Sequence, residues 1–166
     1  LFTALFFCTA AAPASADCAL DSITAALESP VDGLKLLARP VSDVQSAEGG
    51  EWRIYRESDG RVHSIIRIDA GESGRSETRL SMVNRQTYGI ARTRVDYLRH
   101  AFIEDGPFGI ARQTTEYFYY CDGKPHVPGQ AAAVVDVVAY PKAAAEAQQL
   151  MVLDKDVADF TKGLAR

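Results

Sequence analysis

The sequence predicts an α+β domain: an antiparallel β-meander of about five to six strands, covered on one face by a C-terminal helix, with a short N-terminal helix. Between residues 51 and 121, apolar and polar residues alternate in five segments separated by short turns, a period typical of half-buried strands. After Pro141, apolar residues recur every three to four positions, as in an amphipathic helix. An antiparallel sheet needs cover on one face only, so the two signals are consistent with one domain.

The predicted strands follow one another closely along the chain. The five segments are residues 51–57, 61–69, 76–83, 87–98 and 111–121. The Ser-Asp-Gly sequence at 58–60 is a strong turn signal, and a change of phase near Gly89 predicts a β-bulge. Residues 33–44 are expected to be extended because Pro40 excludes a continuous helix. The β-branched segment 131–140 is the candidate sixth strand.

Two further segments have helical spacing. Residues 17–30 place Leu20, Ile23 and Leu27 on one face, which predicts a short helix. The second apolar stripe consists of Leu150, Leu153, Val157, Phe160 and Leu164. We expect this stripe to lie on one helix of roughly twenty residues, or on two helices with a break at Asp154. We also expect it to pack on the protein's own sheet rather than on a partner helix.

The N-terminal segment has the composition of an export signal. Its first sixteen residues carry no charge and end in the small residues Ala14, Ser15 and Ala16. Such a segment is typical of a secretory signal peptide cleaved after Ala16. We therefore expect a signal peptide at residues 1–16, a single α+β domain at residues 17–166, and a periplasmic or secreted location.

The cysteines agree with export. Cleavage would remove Cys8 and leave Cys18 and Cys121 as a pair, which predicts a disulfide bond in an oxidising compartment. The alternative is a metal site that includes Cys121 and His126, but these residues fall short of a four-ligand pattern. We expect no metal and no cofactor.

The charge distribution excludes two classes of partner. The chain has a formal net charge of −4, and its residues 51–112 contain eleven arginines interleaved with nine acidic residues. A nucleic-acid-binding surface would be predominantly basic, so no nucleic acid is expected. The chain also has no basic amphipathic helix, so no membrane insertion is expected after the signal is removed.

The motif most similar to a catalytic one is the serine in Gly-Glu-Ser-Gly-Arg at residues 71–75. A nucleophile elbow needs glycine at the fifth position, where this chain has Arg75, and a serine nucleophile also needs an oriented base. Two glycines between two alternating segments are typical of a hairpin loop, where they can adopt positive φ. We expect Ser73 to lie in a turn, and we predict no catalytic residue.

The arginines are the most distinctive surface feature. The expected binding residues are Arg67, Arg79, Arg92, Arg94 and Tyr97. Cross-strand pairing would bring several of them together on the open face of the sheet, beside acidic residues. That arrangement is either a set of exposed salt bridges, each worth about 0–1 kcal/mol, or a surface that recognises anions, because guanidinium groups match carboxylate and phosphate.

The function predicted from these observations is that of an exported, non-catalytic binding module, most simply a monomer, for an envelope protein or an anionic ligand. One alternative is a small envelope hydrolase that uses His63 or His100 with a nearby carboxylate. A second alternative is a secreted inhibitor-like protein. Residues 73–75, Ser-Gly-Arg, are similar to the Ser-Gly-containing inhibitory loop of periplasmic lysozyme inhibitors. This similarity extends over three residues and transfers no site.

Overall fold

The computed structural model describes residues 18–42, 48–99, 109–128 and 139–162. The predicted signal peptide, the candidate strand at 131–138, His100 and Leu164 lie outside the described residues. The elements in chain order are α1 (Leu20–Glu28), β1 (Lys35–Pro40), β2 (Gly50–Arg56), β3 (Val62–Gly71), β4 (Gly74–Met82), β5 (Tyr88–Tyr97), β6 (Ile110–Cys121), β7 (Lys124–His126), α2 (Tyr140–Met151) and α3 (Lys155–Thr161). None of these three helices combines the length and hydrophobicity needed to cross a bilayer.

The strands form one antiparallel sheet in which each strand pairs with the next along the chain, from β1 to β7. The predicted fold class is confirmed, although the described sheet has seven strands instead of five or six. The extended segment around Pro40 is β1. The strand that the sequence analysis missed is β7, which follows a two-residue turn where Asp122 and Gly123 have φ of 53° and 72°. An Asp-Gly pair with two positive φ angles is typical of a tight hairpin turn.

Helices α2 and α3 pack on one face of the sheet, which we call the α2 face. Its core side chains come from alternate positions of the strands, as a period of two requires. The buried sheet residues in this core are Trp52, Ile54, Ile65, Leu80, Tyr88, Ile90, Phe118 and Tyr120. The helices contribute Tyr140, Ala144, Ala147, Met151, Val157 and Phe160. The prediction that the C-terminal helical segment packs on the protein's own sheet is therefore confirmed, although Leu153 of the predicted stripe is exposed.

The C-terminal stripe is divided between two helices. Helix α2 ends at Met151, and α3 begins at Lys155 after Asp154, whose side chain accepts a hydrogen bond from the Asp156 amide at 2.7 Å. An aspartate at this position satisfies an amide that has no partner within the helix, so it favours a new helix start. The break at Asp154 was one of the two arrangements expected.

Helix α1 packs on the opposite face of the sheet, which we call the α1 face. Ile23 and Leu27 are buried there above Gly89 of β5. A Cβ atom at Gly89 would lie 2.5 Å from Ile23 and 2.6 Å from Leu27. The predicted bulge near Gly89 was wrong, because the register between β4 and β5 is continuous there. The glycine interrupts the apolar pattern because a helix occupies the space above it.

A disulfide connects the start of α1 to the end of β6. The sulfurs of Cys18 and Cys121 lie at bonding distance, and the two Cα atoms are 5.8 Å apart, which is within the usual range for a disulfide. The predicted pairing is therefore confirmed. Because the cysteines are 103 positions apart, the bond closes a long loop and restricts the unfolded chain, an effect worth up to about 4–5 kcal/mol in the chain-entropy model.

Candidate functional site

Helix α2 covers only part of the α2 face and leaves a groove along its side. The groove has a volume of about 1520 Å³. Its floor is the polar end of strands β3 to β6, and one wall is the side of α2 that presents Glu146 and Gln149. The floor side chains are Arg67, Asp69, Ser76, Thr78, Arg92, Arg94, Thr114 and Glu116.

Strand register arranges the floor in two rows. The first row runs across five strands as Trp52, Arg67, Thr78, Arg92 and Glu116. The second row runs across four strands as Asp69, Ser76, Arg94 and Thr114. Residues paired in this way have neighbouring side chains on one face. The register therefore brings three of the five predicted binding residues, Arg67, Arg92 and Arg94, into the groove.

Arg67 is fixed within the structure. Its side chain is only 2% exposed, and its Nε donates to both carboxylate oxygens of Asp69 at 2.9 and 3.0 Å. Its guanidinium also lies 5.5 Å above the ring of Trp52, a cation–π arrangement. A buried charge needs such partners. Arg67 is therefore part of the floor that holds the neighbouring strands in place.

Arg92 and Arg94 are more available to a ligand. The guanidinium of Arg92 lies 5.4 Å above the ring of Phe118 and donates no hydrogen bond to the described residues. Arg94 is 76% exposed and uses Nε to pair with Asp96 at 3.0 Å. Its two terminal nitrogens have no partner in the described part of the chain. The two side chains lie on the same face of β5, two positions apart, which is about 7 Å along a strand.

The other two predicted binding residues lie on the α1 face. Arg79 donates to the carbonyl oxygen of Ser29 at 2.6 Å and to Ser81 Oγ at 3.2 Å, and burial lowers the pKa of its guanidinium. The Tyr97 hydroxyl accepts a hydrogen bond from Arg75 at 3.4 Å. The expected single arginine surface is thus divided between two faces, because neighbouring residues of a strand point in opposite directions.

A smaller cavity of about 380 Å³ lies beside Arg79 on the α1 face, between α1 and the strands. Its lining combines apolar side chains such as Leu27 and Ile66 with charged ones such as Glu77. The guanidinium of Arg79 is already bonded to the chain segment that follows α1. We therefore regard Arg79 as a residue that holds α1 on the sheet.

The described histidines lie away from the groove. His63 Nδ1 is 2.7 Å from Glu57 Oε1, and its Nε2 is buried with no hydrogen-bond partner in the described structure. A histidine paired with a carboxylate is one element of an acid–base site. However, neither His63 nor His126 lines the groove or the smaller cavity.

Ser73 lies in the two-residue turn between β3 and β4, as predicted. Its carbonyl oxygen accepts a hydrogen bond from the Tyr97 amide at 2.8 Å. Neither of the two glycines beside the turn, Gly71 and Gly74, has positive φ, in contrast to the expectation for this loop. A Cβ at Gly74 would overlap the carbonyl oxygen of Val95, so this glycine permits close approach of β5 rather than an unusual turn. Ser73 is at the rim of the groove, and no histidine accompanies it there.

The hydroxyl groups and the helix wall of the groove were not predicted from the sequence. Ser76, Thr78 and Thr114 are small polar residues within strands, and each was unremarkable by itself. The strand alternation in the sequence could have indicated the groove floor: Thr78 and Arg92 occupy core-facing positions in their strands although their side chains are polar. The positions of Glu146 and Gln149 beside the groove depend on how α2 packs on the sheet, and the sequence pattern does not predict that packing.

A second group of residues with chemical potential lies at the disulfide. The sulfurs of Cys18 and Cys121 and a ring nitrogen of His126 all lie within 4.8 Å of one another, and the three side chains are half-buried. In the described part of the chain, this is the one cluster of three histidine, cysteine or acidic residues with spacing suited to a metal ion.

Comparison of the chain with protein-family models, with curated proteins and with solved structures finds no match.

Proposed function

We propose that the protein is a non-catalytic binding module whose groove holds a ligand through a carboxylate or phosphate group. The observation that carries this proposal is the pair Arg92 and Arg94, which lie on one face of β5 and within one groove. Guanidinium groups form paired, charge-assisted hydrogen bonds with these anions. Two such groups about 7 Å apart are able to hold one extended anionic group or two neighbouring ones.

The surroundings of the two arginines support a polar ligand. Thr78 and Glu116 flank Arg92 across the sheet, and Ser76 and Thr114 flank Arg94. Hydroxyl groups both donate and accept hydrogen bonds, so they are suited to the oxygen atoms of an acid, a polyol or a peptide. Deep pockets for apolar ligands are mainly hydrophobic, and this groove is not.

The acidic residues of the groove limit the charge of the ligand. Glu116 and Glu146 are exposed and line the same space as the arginines. They repel a polyanion, so the groove favours a ligand with one or two negative charges over a nucleic acid. This is consistent with the acidic net charge of −4 for the whole chain.

We also propose that the protein is exported, as the disulfide between Cys18 and Cys121 supports. The hydrolase alternative has less support, because His63 lies with Glu57 outside the groove. The inhibitor-like alternative depends on the Ser73 turn, which is at the groove rim, and no described feature identifies an enzyme target.

The test is an NMR titration of the oxidised protein with inorganic phosphate and, separately, with succinate as a dicarboxylate probe. We expect the amide resonances of the floor residues to shift with at least one probe. In the double variant Arg92→Ser and Arg94→Ser, the apparent affinity should fall at least about tenfold, since a hydrogen bond to a charged group contributes about 1.5–3 kcal/mol. The stronger probe then identifies the preferred anion.

The matched control is the double variant Arg53→Ser and Arg61→Ser, which removes the same charge from arginines outside the groove. It should bind both probes as the unmodified protein does. The proposal is wrong if neither probe shifts the floor resonances, or if both double variants lose affinity equally, because the effect would then reflect net charge alone.

A further inference from the structure

We propose that the reduced protein has a zinc site formed by Cys18, Cys121 and His126. The ligand atoms of the three residues already lie within 4.8 Å of one another. Thiolate and imidazole are the preferred ligands of Zn²⁺ in proteins, and three of them leave a fourth position for water. The half-buried position of the three side chains allows this water to reach the ion.

Strand pairing brings His126 to the cysteines. Cys121 pairs with Lys124, and Tyr119 pairs with His126, across the tight turn between β6 and β7. The side chains of Cys121 and His126 are therefore diagonal neighbours on one face of the hairpin. That face is the α1 face, where the chain segment before α1 delivers Cys18. The imidazole of His126 makes no hydrogen bond to the described residues, so it is available as a ligand.

The disulfide and the zinc site exclude each other, and a two-electron reduction connects them. A phosphine supplies two electrons to the disulfide and becomes a phosphine oxide by taking the oxygen of one water molecule, whose two protons complete the two thiols. Zn²⁺ then displaces both thiol protons and binds two thiolates and the neutral imidazole. The Cα separation of 5.8 Å requires no large backbone movement, since only the sulfurs must separate.

This site would preserve a cross-link that reduction otherwise removes. In the oxidised protein, the disulfide joins the start of α1 to the β6–β7 hairpin. In the reduced protein, a bound ion would join the same two elements through the same two sulfurs. Because the ion binds the folded chain, it should also stabilise the reduced fold.

The test uses the full chain, reduced with a phosphine under anaerobic conditions and titrated with Zn²⁺ against a chromophoric chelator. We expect one ion per reduced chain and none for the oxidised chain. His126→Ala should weaken zinc binding at least about tenfold, whereas His63→Ala, which changes a histidine paired with Glu57, should leave it unchanged. Titration with Co²⁺ should produce a thiolate-to-cobalt absorption band.

Because reduction removes the disulfide that stabilises the fold, a second measurement follows the thermal midpoint of the reduced chain with and without Zn²⁺. A rise in the midpoint that is lost in His126→Ala supports the site. The proposal is overturned if the reduced chain binds zinc no better than the double variant Cys18→Ser and Cys121→Ser, or if His126→Ala binds as tightly as the unmodified chain. Neither result bears on the groove, which is tested in the oxidised protein.

Discussion

Arg67 and Asp69 lie two positions apart on the same face of β3, and Arg67 Nε donates to both carboxylate oxygens of Asp69 at 2.9 and 3.0 Å. Arg67 is almost completely buried, whereas Asp69 is partly exposed. The pair neutralises a charge in the floor of the groove. Removal of one partner from a buried pair is costly, because the remaining buried charge loses part of its compensation.

Substitution Asp69→Asn should therefore destabilise the fold by about 3 kcal/mol. The measurement is urea denaturation followed by circular dichroism. The control is Asp96→Asn, which affects the exposed pair with Arg94 and should cost less than about 1 kcal/mol. Equal losses for the two variants would contradict a structural role for Arg67.

The packing of α1 on Gly89 gives a second prediction. Substitution Gly89→Ala places a methyl group against Ile23 and Leu27, so we expect a loss of about 1–3 kcal/mol from overpacking. The measurement is again the free energy of unfolding. Gly71→Ala is a suitable control, because its Cβ would meet only the carbonyl oxygen of Gly74, at 3.3 Å, and should change stability by less than about 1 kcal/mol. A stable Gly89→Ala variant would mean that α1 does not occupy this position.

Asp156 connects α3 to the sheet. One of its carboxylate oxygens accepts hydrogen bonds from Trp52 Nε1 at 3.1 Å and from Ser42 Oγ at 2.8 Å. Asp156→Ala should cost about 1–3 kcal/mol, because the buried indole N–H loses its partner. Since Trp52 is the single tryptophan, its fluorescence reports the change directly.

The control for Asp156 is Asp159→Ala on the same helix. Asp159 is exposed and pairs with Lys162, so its loss should leave the free energy of unfolding nearly unchanged. Unchanged tryptophan fluorescence and unchanged stability in Asp156→Ala would contradict the contact between α3 and β2.

Buried tyrosines predict a specific dependence on alkaline pH. Burial raises the pKa of Tyr88, Tyr120 and Tyr140 above the ordinary value. Above pH of about 10, the unfolded chain loses phenolic protons that the folded chain retains. Stability is therefore fully present below that pH and falls as pH rises, by up to about 1.4 kcal/mol per pH unit for each tyrosine.

Substitution Tyr88→Phe isolates one of these groups. It removes the hydroxyl that accepts a hydrogen bond from Gln148 at 2.6 Å, so it should lower stability at neutral pH by about 1 kcal/mol. At alkaline pH, the same variant should lose stability less steeply than the unmodified protein. Denaturation series at several pH values provide the measurement, and an unchanged slope would contradict the shifted pKa of Tyr88.

The sequence was sufficient for the general fold because its local patterns agree with one another. Alternating apolar and polar residues predicted strands β2 to β6, and the apolar stripe after Pro141 predicted a helical segment that packs on the sheet. The Asp122–Gly123 turn carried a clear hairpin signal, but β7 has only three residues and is too short for alternation to be visible. Gly89 was misread because its neighbours, Ile23 and Leu27, are more than sixty positions away in the chain.

The candidate site was predicted only in part, because it depends on faces and on register. Leu80 lies in the core, so its neighbour Arg79 must point to the opposite face, and strict alternation would have separated Arg79 from Arg67. The row that joins Arg67 to Arg92 depends on how β3, β4 and β5 align. The groove itself depends on the position of α2, which is set by packing between distant segments.

The most direct test of the central claim is to observe the guanidinium NMR resonances of the arginine side chains while phosphate or succinate is added to the oxidised protein. The account predicts that the resonances of Arg92 and Arg94 shift and that their guanidinium rotation slows, whereas those of Arg53 and Arg61 do not change. It would be contradicted if neither anion affected Arg92 and Arg94, or if all four arginines responded alike.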